Sequence, residues 1–142
     1  MIAAARLPLV VEVDPEAELT VQQLLDQARA KLDRLTPAQA NAAHRDGAIL
    51  IDIRSELQRS TDGELPGAKC FARNVLEWRL DPSSPDRDPE VARRDVHLIV
   101  VCNEGYQSSL AAATLLRFGL QATDVIGGFQ AWRDASLPIA SD

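Results

Sequence analysis

Apolar positions along the chain fall into two kinds of run. Val21, Leu24, Leu25, Ala28, Leu32 and Leu35 recur at helical spacing behind Thr20, which predicts a capped amphipathic surface helix over 21–35. Thr36-Pro37 starts a second, short helix over 37–44, with Thr36 as cap and proline at the first helical position, where no N–H is needed; Asp46-Gly47 closes it. The other runs are continuous. Residues 48–53 are apolar except for Asp52, the pattern of a strand covered on both faces in a parallel sheet, and 96–101 form a second such strand ending on Cys102. Between them the chain reads as a helical turn over 56–58, a Leu65-Pro66-Gly67-Ala68 turn leading into a short segment over 69–72, a short helix over 75–80 and a charged connection over 86–94. After Cys102 come a small-residue helix over 108–118 with Gly119 as its C-cap, a third short strand over 124–126, a Gly127-Gly128 turn and a terminal helix over 129–135. The apolar, β-branched stretch 7–13 reads as a short strand or a docked arm. Strands alternating with helices predict an α/β domain with a central parallel sheet flanked by helices.

Composition narrows the class. The chain has 142 residues, 46% hydrophobic and 25% charged, which suits one compact domain with a substantial core. Its net charge of −6 and the lack of any Lys/Arg block argue against nucleic-acid or anionic-membrane partners. No apolar run approaches the length of a membrane span and no basic, apolar leader opens the chain, so a cytoplasmic location, where thiols stay reduced, is expected. Cys70 and Cys102 are too far apart for a CxxC motif, and His44 and His97 lie in different elements; neither a metal site nor a cofactor is expected.

The informative chemistry is at Cys102, where a strand gives way through a Gly-containing loop to a helix. Loop N–H groups and the unpaired N–H groups of a helix start favour negative charge at such a position, and a thiolate held there is a nucleophile. The plainer reading is a buried cysteine closing a core strand. Gly105 for the turn, Ser108 and Ser109 as N-cap candidates, and the small-residue helix that follows favour the functional one. In parallel sheets ligands bind at the carboxyl ends of strands, where Cys102 lies.

From about Arg34 to Pro138 the chain resembles a single-domain rhodanese, on four motifs in order. Ile49-Leu50-Ile51-Asp52-Ile53-Arg54 is similar to the family's strand ending in Asp-x-Arg, and Gly63-Glu64-Leu65-Pro66-Gly67-Ala68 to its Gly-His-Ile-Pro-Gly-Ala turn. Cys102 to Ser108 resembles its active-site loop, and Val125-Ile126-Gly127-Gly128-Phe129-Gln130-Ala131-Trp132 its closing Gly-Gly-x-x-Ala-Trp. The resemblance implies a rhodanese-like α/β fold over 34–142, preceded by an N-terminal extension, 1–33, that carries the amphipathic helix. That helix either packs back on the domain or serves as a docking surface.

The resemblance also implies a sulfurtransferase: the Cys102 thiolate takes a sulfane sulfur from a donor such as thiosulfate or a persulfide, holds it as a persulfide, and passes it to a thiophilic acceptor. Asn103, Glu104, Gly105, Tyr106, Gln107 and Ser108 would form the cradle, with Tyr106 either an exposed loop aromatic or the lining of the pocket mouth. The family's loop often reads Cys-x-x-Gly-x-Arg; here that Arg position is Gln107, which offers only neutral hydrogen bonds in place of a bidentate, charged fork. This favours a protein or thiol donor over free thiosulfate. Arg54, Arg73 and Arg79 are the substrate-binding candidates. Arg54 is expected to brace the site through Asp52, while Arg73 and Arg79 either replace the missing charge or pair with Glu77 and Asp81 at the surface. Trp78 and Trp132 read as packing residues, and Cys70 as buried and inert. A non-catalytic binding or sulfur-carrier module is the alternative. Phosphatase or arsenate reductase chemistry, which uses Cys-(x)5-Arg, is disfavoured because the sixth residue after Cys102 is Ser108. Partners are thus a small sulfur donor or acceptor, with a protein persulfide donor as a further option.

Overall fold

The computed structural model describes residues 17–140; the stretch 7–13 lies outside them. The elements are α1 (Val21–Arg29), α2 (Pro37–Arg45), β1 (Ile49–Asp52), α3 (Glu56–Asp62), β2 (Lys69–Cys70), a 3-10 turn (Arg73–Val75) running into α4 (Leu76–Leu80), β3 (His97–Val101), α5 (Gln107–Leu116), β4 (Gln121–Asp124) and α6 (Gly128–Asp134). All strand pairs are parallel, in the order β2-β1-β3-β4. The two strands with continuous apolar runs are therefore the central ones, as a run buried on both faces requires.

Side chains alternate along β1 and β3 into two cores, one on each face. Ile51, Ile53, Leu98 and Val100 pack with Leu76, Leu80, Ala111, Ala112 and Leu115 on one side. Leu50, Ile99 and Val101 pack with Ala40, Leu65, Phe129 and Trp132 on the other. Each fully buried Leu or Ile contributes about 1.5–3 kcal/mol, so these two layers fix where β3 ends and with it where Cys102 stands. Trp132 is buried and its indole N–H donates to the Pro138 carbonyl at 2.8 Å, a packing role as expected. Trp78 is 59% exposed: α4 turns Leu76 and Leu80 inward, which leaves the intervening Trp on the outer side.

Three helices start the same way. Thr20, Thr36 and Ser55 each accept the N–H of the glutamine three residues on, and each glutamine side chain accepts from the cap's own N–H, a capping box that satisfies two unpaired donors at once. The box at Ser55 carries α3 on to Asp62, beyond the single turn expected at 56–58. Conversely α1 stops at Arg29, six residues short of the expected end at Leu35. Leu35 is needed elsewhere: its N–H donates to the Asp124 carbonyl (3.0 Å) and its carbonyl accepts from Ile126 (2.8 Å), so sheet pairing overrides helical periodicity. Leu25 and Ala28 of α1 are buried against α5 while Val21 and Leu24 stay exposed.

The third strand is also displaced. The ladder runs over Gln121–Asp124, not 124–126; Val125 continues it with one N–H to the Val100 carbonyl (3.3 Å), and Val125 and Ile126 otherwise pair with Leu35. As an edge strand with one polar side, Gln121-Ala122-Thr123 lacks the apolar run that marked β1 and β3. Ser108 and Ser109 do not cap α5. They sit inside its first turn, fully buried, and donate to Asp124, while Tyr106 occupies the cap position without a side-chain bond. Among the described residues no helix is long and apolar enough to cross a membrane.

Candidate active site at the carboxyl end of the central strands

Cys102 is the first residue past β3, 6% exposed, and its Sγ accepts from the N–H groups of Gly105 (3.2 Å) and Ser108 (3.3 Å). The loop between them is folded so that carbonyls face outward. At the start of α6, Phe129 N–H donates to the Cys102 carbonyl at 2.8 Å and Gln130 N–H to the Asn103 carbonyl at 3.0 Å; the Gln130 amide also donates to Asn103 Oδ1 at 2.9 Å. The peptides of the described residues are all trans, so each tethered carbonyl turns the N–H of its own peptide to the opposite side. With the loop held this way, the N–H groups of Gly105 and Ser108 converge on the sulfur, an arrangement suited to holding an anion.

Two glycines make this approach possible. Gly105 has φ +88°, and a Cβ there would lie 2.7 Å from the Gly127 nitrogen. Gly128 has φ +61°, and its Cβ would lie 2.5 Å from the Cys102 carbonyl oxygen. The Gly-Gly turn before α6 is therefore the surface on which the cysteine loop is seated.

Arg54, 2% exposed, braces the floor. Its backbone N–H and Nε donate to Asp52 Oδ1 (3.0 and 3.1 Å), Nη2 donates to Oδ2 (2.8 Å) and to the Gly63 carbonyl (2.9 Å), and the guanidinium lies 3.8 Å from the centre of the Phe129 ring. Its Nη1 is buried without a hydrogen-bond partner among the described residues, a condition that costs about 1–3 kcal/mol. Arg54 lines a pocket of about 190 Å³ together with Cys102, Asn103, Glu104, Tyr106 and Gln107. Through Ile53, Arg54, Gln58 and Gln107 this pocket adjoins a larger cleft of about 670 Å³.

The other two candidate arginines are placed differently. Arg73 lines the larger cleft, where its Nη1 is bonded to both oxygens of Glu77 (2.8 and 3.0 Å). Arg79 lies outside both spaces, donating to the Asp86 carbonyl at 2.8 Å and passing over Phe71. Neither brings its charge into the Cys102 pocket, because the 3-10 turn and α4 direct them to the Glu77 carboxylate and the Asp86 carbonyl. Within the loop, Glu104, Tyr106 and Gln107 are exposed at the pocket mouth, and Gly105 and Ser108 are buried under the sulfur.

Cys70 departs from expectation in being exposed. It ends the two-residue edge strand β2, past which the sheet has no further strand among the described residues. Desolvation on its inner side pushes the thiol up, the Asp52 and Glu64 carboxylates push the same way, and Arg59 and Arg54 oppose them. Asp52, Glu64 and Cys70 bring one donor atom each within 4.8 Å. Both Asp52 oxygens already accept from Arg54, and Arg59 stands 3.4 Å from Glu64. Guanidinium groups supply the counter-charge a cation would.

Several site residues carried no signal in the sequence. Asp124, fully buried, accepts from Ser108 and Ser109 Oγ (2.7 Å each) and from Arg34 (2.9 and 3.2 Å). Arg34 and Arg29 reach the loop from the segment before α2 and from α1. Only long-range contact brings these groups together, over separations of 15 to 90 positions.

A parallel α/β sheet with a buried cysteine seated in a strand-loop-helix cradle defines the class. Residues 36–135 match the rhodanese-like domain, and the chain belongs to that family. It is 33% identical over 101 residues to the thiosulfate sulfurtransferase GlpE of Stutzerimonas stutzeri, covering 70% of this chain and 84% of the relative. It is 30% identical over 106 residues to GlpE of Haemophilus influenzae, covering 74% and 91%. At the level of family the chain is a rhodanese-like sulfurtransferase. A Rhodopseudomonas palustris structure of unknown function, described as a possible tyrosine phosphatase, superposes with a TM-score of 0.79 at 34% identity, over 90% of this chain and 99% of that one. A rhodanese-related protein from Thermoplasma volcanium, at 20% identity and a TM-score of 0.63 over 77% and 98%, shares the fold.

Proposed function

We propose that Cys102 carries sulfane sulfur as a persulfide. The Cys102 thiolate attacks the outer sulfur of thiosulfate or of a donor persulfide. A new S–S bond forms to Cys102, the donor's S–S bond breaks, and sulfite or the donor thiolate leaves with the electron pair. An acceptor thiolate then attacks the terminal sulfur and leaves as the new persulfide, regenerating the Cys102 thiolate. Both steps keep negative charge on sulfur inside the loop, so the same N–H cradle stabilises start and finish. The observation that carries this reading is the pair of N–H groups on Cys102 Sγ, at 3.2 and 3.3 Å.

In this reading Asn103, Glu104, Gly105, Tyr106, Gln107 and Ser108 form the cradle, and Arg54, paired with Asp52 but with Nη1 free of an acceptor among the described residues, is the guanidinium that lines the pocket. Arg73 meets larger donors or acceptors in the adjoining cleft. The GlpE relatives act on thiosulfate by name. Gln107 in place of a loop arginine favours a thiol persulfide, small or protein-borne, as the better donor here, in a reducing cytoplasm where persulfide and thiol acceptors persist. We do not carry the phosphatase description of the Rhodopseudomonas structure over: position six after Cys102 is Ser108, buried and bonded to Asp124, so the loop itself offers no guanidinium to a tetrahedral dianion.

The test is intact-protein mass spectrometry after incubation with thiosulfate or with a cysteine desulfurase plus cysteine. The expected product is one added sulfur, about 32 Da, removed by reductant. Cys102→Ser loses it and Cys70→Ser keeps it; the reverse pattern, or no labelling by either donor, defeats the proposal.

A further inference from the structure

The Gly105 carbonyl faces away from the cradle, and two guanidiniums meet on it. Arg29 Nη2 donates at 2.7 Å and Arg34 Nη2 at 3.0 Å. Both residues lie ahead of the segment 36–135 that matches the family, Arg29 at the last turn of α1 and Arg34 in the strand-like approach to Leu35. Arg34 is neutralised by Asp124, with Nε 2.9 Å from Oδ1. Arg29 has no carboxylate partner among the described residues; its Nε donates to Ser109 Oγ at 3.0 Å, and its guanidinium lies 5.6 Å from the centre of the Tyr106 ring. A cation is thus held against the outer wall of the very loop whose own arginine position is Gln107.

We propose that Arg29 and Arg34 are positioning residues of the active-site loop, clamping the Gly105–Tyr106 peptide so that its N–H is aimed into the cradle, with Arg29 restoring from outside the loop part of the charge absent at Gln107. The peptide is trans, so anchoring its oxygen turns the Tyr106 N–H the opposite way. Tyr106 is the cap residue of α5, and its N–H has no acceptor among the described residues, leaving it available to an anion on the Cys102 side. A carbonyl that accepts two charge-assisted bonds is polarised, and its peptide N–H becomes a stronger donor. Packing alone does not require this arrangement: Leu25 and Ala28 already dock α1 on the domain, and neither guanidinium is needed to bury them.

The inference shares with the proposed function only the identity of Cys102 as the reacting thiol, so its test includes a reading independent of sulfur transfer. The variants are Arg29→Gln and Arg29→Lys. The readings are the rate of Cys102 carbamidomethylation at pH 7, followed peptide by peptide, kcat and KM for sulfur transfer from thiosulfate, and the thermal midpoint. Losing one charge-assisted bond corresponds to a factor of roughly ten. Arg29→Gln is expected to slow Cys102 alkylation and kcat about that much while KM stays within about twofold. Arg29→Lys, which keeps a charge within reach of the Gly105 carbonyl, is expected to recover most of both rates. Unchanged alkylation in Arg29→Gln overturns the inference, as does a lysine variant no better than the glutamine one at equal thermal midpoint. Slowed alkylation in a protein that never accepts sulfur would leave the clamp standing and remove the sulfurtransferase reading instead.

Discussion

Gln107 separates what the loop geometry does from what its charge does. The N–H groups of Gly105 and Ser108 reach Cys102 Sγ without help from the Gln107 side chain, which is exposed at the pocket mouth. Introducing a guanidinium there leaves the Cys102 cradle untouched and, on the proposed reaction, offers the outer end of a donor a bidentate, permanently charged partner. Gln107→Arg is therefore expected to lower KM for thiosulfate about tenfold, from a charge-assisted bond worth about 1.5 kcal/mol, with little change for a neutral or thiol persulfide donor. Steady-state kinetics with both donors reads this, and an unchanged thiosulfate KM places the anion's partner on Arg54 or the loop N–H groups. The pairing of Arg54 with Asp52 was legible in the sequence because residues two apart at a strand end project to the same side, and they meet through three side-chain bonds and one backbone bond. The exposure of Cys70 was not legible: an apolar neighbourhood in sequence says nothing of the two-residue strand's place at the sheet edge.

At the scale of elements, the cradle is made by α6 as much as by the loop. The N-terminal N–H groups of α6 take the Cys102 and Asn103 carbonyls, and this requires Gly128 to sit where a Cβ would overlap the Cys102 oxygen at 2.5 Å. Gly128→Ala must push α6 and the loop apart, whereas Gly47→Ala meets nothing within 4 Å despite a comparably positive φ of +111°. The second substitution is expected to cost about 1 kcal/mol, the strain of a side chain in left-handed backbone. The first is expected to cost more than twice that and to reduce persulfide labelling sharply; denaturant unfolding and mass spectrometry on the pair distinguish them, and equal behaviour removes the seating role of the Gly-Gly turn. The central strands and the helices with Thr caps could be read from the sequence because burial on two faces and capping are local patterns. The extent of α1 and the position of β4 could not, since α1 gives up Leu35 to pairing with Asp124 and Ile126 some ninety positions on, and β4 is placed by its ladder with β3 and not by an apolar run of its own.

Over the whole molecule, one buried carboxylate joins the pieces that the sequence keeps apart. Asp124 closes the edge strand, bonds the first turn of α5 through Ser108 and Ser109, and holds Arg34, which in turn grips the Gly105 carbonyl. Fully buried, it has no water to replace these partners. Asp124→Asn keeps the volume but removes the charge that compensates Arg34 and places an amide NH2 where acceptors are needed. Breaking a buried pair on one side costs about 3–5 kcal/mol, and Arg34, only partly covered, relieves some of that by swinging outward. A loss near 3 kcal/mol is expected, about 10 °C in the thermal midpoint of a chain this size. Because the same carboxylate fixes Ser108, whose N–H reaches Cys102, sulfur loading should fall more steeply than the folded fraction does. Calorimetry together with persulfide labelling at a temperature where the variant is still folded checks both halves. Labelling that merely follows the folded fraction would make Asp124 a structural anchor alone, leaving the sulfur cradle to the loop, α6 and the two arginines on Gly105.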